Sequence, residues 1–246
     1  MSPLRKSQYD AGLTAFLIKA GISFTNADLV RTACTHRSYL NEARAQKRES
    51  VVGVGAHNER LEFLGDAVIE LIVTDHLFRR YPSATEGELT GYRSALVNAT
   101  ILGGIAEDLG LNECLLLSRG ESRDTGRARA TILANAFEAV TGALYLDQGY
   151  AAAEKFIERH VLSHAEEVVK RGLWRDAKSA FQELAQAKYG ITPLYKTVKT
   201  EGPDHARVFT VAVTVGDVVV AEGEGKSKQE AEQAAAQKAL HDSETH

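Results

Sequence analysis

The stretch NERLEFLGDAVIEL, Asn58 to Leu71, decides how the larger part of the chain is read. At about 100° per residue, Glu59, Glu62, Asp66 and Glu70 fall within roughly 80° of one another on a helical wheel. Leu61, Leu64, Ala67, Val68, Leu71 and Ile72 take the opposite side, at the spacing of a stripe buried against a core. The segment is predicted to be a helix whose acids are neighbours along one face.

Acids on a helical face ordinarily point to solvent. Here Glu62 and Asp66 are four residues apart, as are Asp66 and Glu70, and like charges at that spacing cost about 0.2–0.5 kcal/mol per pair. Arg60 points about 100° away from Glu59, so no basic side chain of the helix itself relieves the repulsion. Something positive must come from outside it. A divalent cation fits, because Mg²⁺ prefers carboxylate and water oxygens in octahedral geometry and needs few protein ligands. A second segment, RATILANAFEAVTGALYLDQG, sets Asn135 and Glu138 three apart on one helical face, with Ile132, Leu133, Ala136, Phe137 and Val140 expected to bury the rest. An Asn-x-x-Glu pair by itself is an ordinary surface feature. It gains meaning only if the two helices meet.

At 246 residues the chain is long enough for two domains. Hydrophobic residues at 44% and charged residues at 25% describe an ordinary soluble protein. The longest apolar runs, such as FTVAVTVGDVVVA, alternate with polar residues or are too short to cross a bilayer, and MSPLRKSQYD has no apolar core of a signal peptide. No membrane segment is expected. Cys34 and Cys114 stand far apart in the sequence in no CxxC pairing, which indicates neither a disulfide framework nor a cysteine zinc site and fits a reducing cytoplasm. A formal net charge of -4 excludes nucleic-acid binding through bulk positive charge, so any such binding needs a local patch.

From about residue 8 to 168 the pattern is helical, with polar breaks at RAQKRESVVGVGAHNE, YPSATEGE and SRGESRDTGRA and no convincing strand. The character changes around VKRGLWRDAKS. Beyond it, ARVFTVAVTVGDVVVAEGEGKS reads as a β-hairpin turning at Gly216-Asp217. Two amphipathic helices, AKSAFQELAQAKYG and SKQEAEQAAAQKALHDS, flank it, which makes a second domain of α+β type. GEGKS invites a P-loop reading that fails, because Val220 stands where the first glycine is needed. Gly53-x-Gly55 lacks the rest of a dinucleotide fingerprint, so no nucleotide cofactor is expected; the eight histidines show no HExxH spacing.

NERLEFLGDAVIEL resembles the signature segment of ribonuclease III. THRSY before it, and EGELTGYRSALVN and ILANAFEAVTGALYLDQG after it, match the family's other segments in order. The C-terminal part looks like the double-stranded RNA-binding domain of bacterial members, so the resemblance covers nearly the whole chain. It implies an all-α nuclease domain over residues 1–170 and an α-β-β-β-α RNA-binding domain over residues 176–243. The implied enzyme is a homodimer that cuts both strands of duplex RNA with Mg²⁺, or Mn²⁺ in its place. It leaves 5′-phosphate and 3′-hydroxyl ends with short 3′ overhangs, on ribosomal precursors and structured messages.

Carried over residue by residue, Glu62, Asp66 and Glu138 match the family's metal-site acids and Glu59 a further acid of the signature. Asp66, Glu138 and Glu59 are the implied catalytic residues; Glu62, Asp66, Asn135 and Glu138 are the implied metal ligands. Asn135 stands where the family carries aspartate, and a neutral carbonyl oxygen in place of a carboxylate implies a raised Mg²⁺ requirement. It also leaves open a second class, a duplex-binding protein that has kept the fold and lost the chemistry. Phe63 matches an aromatic that the family inserts into its partner subunit. For RNA the matching residues are Gln182, Glu183, His205, Lys226 and Lys228. Lys226 and Lys228 begin a helix, where backbone N–H groups and the dipole already favour phosphate. Residues 175–241 hold nine Lys and Arg against nine Asp and Glu, so weak affinity and recognition of duplex shape over sequence are expected.

Overall fold

The computed structural model describes residues 3–46, 56–123, 126–170, 177–202 and 207–244. The chain divides into two compact units, Met1–Trp174 and Arg175–His246.

The first unit is helical: α1 (Pro3–Ala20), α2 (Ala27–Ala33), α3 (Arg37–Ala45), α4 (Glu59–Arg80), α5 (Glu86–Leu96), α6 (Ala99–Asp108), α7 (Arg127–Gln148), α8 (Tyr150–His160) and α9 (Ala165–Lys170). Its helices start where the sequence offers caps. Asn26, His36 and Asn98 accept backbone N–H groups of α2, α3 and α6 through their side chains, and Thr85 with Glu88 forms a reciprocal capping box on α5. The core gathers on α4 and α7: Ile69, Leu77, Leu133, Phe137 and Leu144 are fully buried, and Phe137 stacks on Phe156 of α8 at 5.1 Å between ring centroids. Among the described residues the unit's β-structure is one isolated parallel bridge, Thr35 to Leu116.

α4 and α7 touch through glycine. A methyl group on Gly65 would overlap the carbonyl oxygen of Glu138, and one on Gly142 would overlap that of Leu61. Residues four apart on one helix thus oppose residues four apart, in reverse order, on the other. The two helices run antiparallel at backbone contact, which no larger side chain at those positions allows.

That contact corrects the stripe expected on α4. Leu61, Val68 and Ile72 are buried as the spacing predicts, but Leu64 is half-buried and Ala67 and Leu71 are exposed. Gly65, Ile69, Val73 and Leu77 are buried in their place. The helix is turned by roughly a quarter of a revolution towards its acids, because its closest neighbour packs against Gly65. On α7, Leu133, Ala136, Phe137 and Val140 are buried and Ile132 is half-buried.

The second unit comprises α10 (Ala177–Tyr189), β1 (Leu194–Glu201), β2 (Val208–Val215), β3 (Val218–Gly225) and α11 (Lys228–Glu244). The antiparallel sheet has the order β1-β2-β3. The hairpin turns at Gly216-Asp217, with Gly216 in the left-handed region at φ 61°. Phe181 of α10, Val213 of β2 and Ala235, Ala236 and Ala239 of α11 form its core. A methyl group on Gly223 or Gly225 would overlap the backbone of α11 at Ala235 or Ala231. The glycines of GEGKS therefore let a helix lie against a strand; they do not cradle a phosphate.

Candidate active site

The α4–α7 contact decides which acids meet. Glu138 lies level with Gly65, between Glu62 and Asp66 in the antiparallel register. Because α4 turns this edge inward, Glu62 and Glu138 are both half-buried and Asp66 lies at the exposed rim. Burial, and then the neighbouring charges of Asp66 and Glu62, push the Glu138 carboxyl up to about 7. Glu62 is raised too, by burial and then by Glu59 and Asp66, with Arg37 opposing. Asn135 is half-buried one turn earlier on α7, on the far side of Asp66 from Glu62.

The acidic face is not uniform. At its N-terminal end Arg37 of α3 reaches Glu59 Oε1 at 3.1 Å, and His57 Nδ1 lies 3.7 Å from Glu59 Oε2. Towards its other end Arg93 of α5 pairs with Glu70 at 2.9 Å and donates to Thr74 at 3.0 Å. Between them Glu62, Asp66 and Glu138 have no ion pair among the described residues. Outside cations do relieve the helix, as its spacing requires, but only at its flanks. Arg37, Arg93 and His57 are functional candidates that spacing along one helix could not reveal, since each arrives from a different segment.

The middle trio suits a hard divalent cation. Its donors are all oxygen, it has no ion-pair partner among the described residues, and burial followed by the charges of Asp66 and Glu62 raises the Glu138 carboxyl to about 7. Among the described residues no three carboxylate, imidazole or thiolate groups close on a single point.

Phe63 projects from α4 with 82% of its surface exposed, followed by Ala67, by Leu71 at 58% and by Phe78 at 69%. These positions form an apolar stripe beside the acids. In the second unit Gln182 and Glu183 are exposed on α10, and Lys226 and Lys228 are exposed at the start of α11. The Lys226 N–H donates to the Glu230 carboxylate at 2.9 Å, and the Glu230 N–H donates to Ser227 Oγ at 3.1 Å. An internal acid thus sits at this helix N-terminus. His205 lies outside the described residues.

Residues 26–165 match the family model described as Ribonuclease-III-like, and residues 177–243 match the double-stranded RNA binding motif. The chain is 44% identical to Ribonuclease 3 of Borreliella burgdorferi over 96% of its own length and 91% of that protein. It is 40% identical to Ribonuclease 3 of Geobacter metallireducens over 96% of this chain and 93% of that one. Among solved structures, a nuclease domain of ribonuclease III from Campylobacter jejuni, described with a flexible region involved in dimer formation, aligns with a TM-score of 0.52 at 32% identity. That alignment covers 61% of this chain and 95% of the other. With a paired-helix acid site in one unit and an α-β-β-β-α fold in the other, the chain belongs to the ribonuclease III family of double-stranded RNA endoribonucleases.

Proposed function

We propose that this protein hydrolyses phosphodiester bonds of duplex RNA at the Glu62–Asp66–Glu138 cluster with Mg²⁺, and with Mn²⁺ able to substitute. The observation that carries the reading is the selective lack of compensation: the flanking acids of α4 have arginine partners, and the central acids have none among the described residues. A bare cluster of acids repels a phosphodiester. The cation, when bound, reverses the sign of the site, lowers the pKa of an attacking water and steadies the leaving oxygen. Glu62, Asp66 and Glu138 supply its anionic ligands, and Asn135 offers a neutral carbonyl oxygen. Glu59 stands beside the trio as a further acid facing the substrate. The products are 5′-phosphate and 3′-hydroxyl ends.

The exposed stripe of Phe63, Ala67, Leu71 and Phe78 is proposed as the contact of a symmetric homodimer, in which the same helix faces its copy. Two such sites leave short 3′ overhangs. Gln182, Glu183, Lys226 and Lys228 are proposed to hold the duplex, with His205 as a further contact. Ribosomal precursors and structured messages are the proposed substrates. The proposed compartment is a reducing cytoplasm, where Cys34 and Cys114 stay free thiols. Among the described residues no helix is long and apolar enough to cross a membrane.

The test is cleavage of a long RNA duplex across a Mg²⁺ series, with EDTA and Glu138→Ala as controls. Cleavage that needs the cation and falls about 10³-fold or more in the variant is expected, since removing a cation ligand forfeits several kcal/mol of transition-state stabilisation. Duplex that binds and stays intact at every Mg²⁺ concentration overturns the reading in favour of a binding protein.

A further inference from the structure

We infer that Arg37 is the positioning residue that holds the Glu59 carboxylate apart from the metal-binding set of Glu62, Asp66, Asn135 and Glu138. The inference rests on the cation-site reading above. Glu59 belongs to the same helical face as Glu62 and Asp66, so its carboxylate is within reach of the cluster, and its charge adds to the rise at Glu62. Its carboxylate is engaged from outside α4. Arg37 holds Oε1 at 3.1 Å, and His57 lies 3.7 Å from Oε2.

The clamp is built on tied backbone. Arg37 is the first residue of α3, and the helix is capped there by His36, whose Nδ1 accepts the Ser38 N–H at 3.3 Å. One residue before His36, the carbonyl of Thr35 accepts the Asn58 N–H at 2.9 Å, next to Glu59. One residue after Thr35, the His36 N–H donates to Leu116 at 3.0 Å. One strap therefore fixes the segment that bears Arg37 and the start of the helix that bears Glu59. The Arg37 and Glu59 side chains are 65% and 44% exposed, and an ion pair so open to water adds little to folding stability. What it does is tie the carboxylate to α3. Held there, Glu59 faces substrate as a fixed hydrogen-bond acceptor.

The test is a double-mutant cycle of Arg37→Met and Glu59→Gln in the full chain. It is read by calorimetric binding of Mn²⁺ without RNA, by kcat and KM for duplex cleavage, and by thermal unfolding. Arg37→Met is expected to release Glu59 towards the cluster, tightening Mn²⁺ about three- to tenfold while kcat falls about tenfold, KM holds and the melting temperature stays within a degree or two. In the Glu59→Gln background Arg37→Met is expected to change neither Mn²⁺ affinity nor kcat. Equal tightening in both backgrounds overturns the inference, because Arg37 then acts on the ion as a bare charge. A rise in KM alone also overturns it, because Arg37 then contacts RNA directly. A wild type that takes up no Mn²⁺ overturns the cation site itself, and the inference with it; the wild-type titration separates that failure from the others.

Discussion

Gly65 and Gly142 let two helices of the first unit touch, and Gly223 and Gly225 let a helix of the second lie on a strand. The device is the same, but the charges gathered around it are treated differently. Across the helix–helix contact Glu62, Asp66 and Glu138 lie near one another with no ion pair among the described residues, and Glu138 is raised to about 7. Around the strand–helix contact charge is settled internally. Glu230 accepts the Lys226 N–H, and Lys178 pairs with Glu232 at 2.6 Å. Uncompensated charge lowers the stability of the free protein, and a ligand of opposite sign removes that cost. On the proposed reading a cation completes the first unit, whereas the second offers duplex RNA a shape with modest charge.

The largest effect is expected from the glycines themselves. Gly65→Val drives a branched side chain into the Glu138 carbonyl, so cleavage is abolished and the unit loses about 1–3 kcal/mol or more, as overpacked contacts do. Thermal unfolding and duplex cleavage check both parts. Gly223→Val is the matching change in the second unit. It is expected to weaken duplex-RNA binding in a gel-shift titration while leaving Mg²⁺-induced stabilisation intact. If Gly223→Val removed the Mg²⁺ effect as well, the division of labour between the two contacts would be wrong.

A smaller effect follows from the cation. Mg²⁺ at about a hundred times its dissociation constant is expected to add about 2.7 kcal/mol to the stability of the first unit, roughly 5–10 °C in melting temperature, reversed by EDTA. Glu138→Gln removes one of the three repelling charges and keeps the shape. The metal-free variant is expected to melt above the metal-free wild type and to gain little from Mg²⁺. A variant that melts lower, or that still responds in full, would show that Glu138 is a packing residue and the trio no cation site.

Spacing alone makes part of this legible. NERLEFLGDAVIEL and the Asn135/Glu138 pair each declare a helix with acids to one side, and Gly216-Asp217 declares the hairpin, because these signals lie within one or two turns of chain. That the two acidic segments belong to one site is implied by the family resemblance and by neither segment's spacing, since 71 residues of chain lie between Asp66 and Glu138. The rotation of α4 is not legible. Its apolar residues cover more than half the helix, so a core side and an exposed stripe read as one, and the contact at Gly65 chooses between them. Arg37, His57 and Arg93 escape for a related reason: a charge partner can come from any element. β1 is invisible as a strand by periodicity, since LYKTVKTE lies largely exposed and carries lysines where alternation would place apolar residues.

Asn135→Asp carries the smallest effect and bears most directly on what the helix contact is for. Asn135 sits beyond Asp66 on the same edge, where a fourth carboxylate would deepen the negative field. In the metal-free protein that adds repulsion, so the variant is expected to melt slightly below wild type. With cation present the sign inverts, because a charged oxygen replaces a neutral one. The Mg²⁺ concentration for half-maximal cleavage is expected to fall by up to about tenfold, equivalent to about 1.4 kcal/mol, with little change in the rate at saturation. An unchanged requirement would place Asn135 outside the cation's surroundings. A variant far faster at saturating Mg²⁺ would mean that asparagine limits the chemistry itself, and that this chain trades turnover for a less negative site.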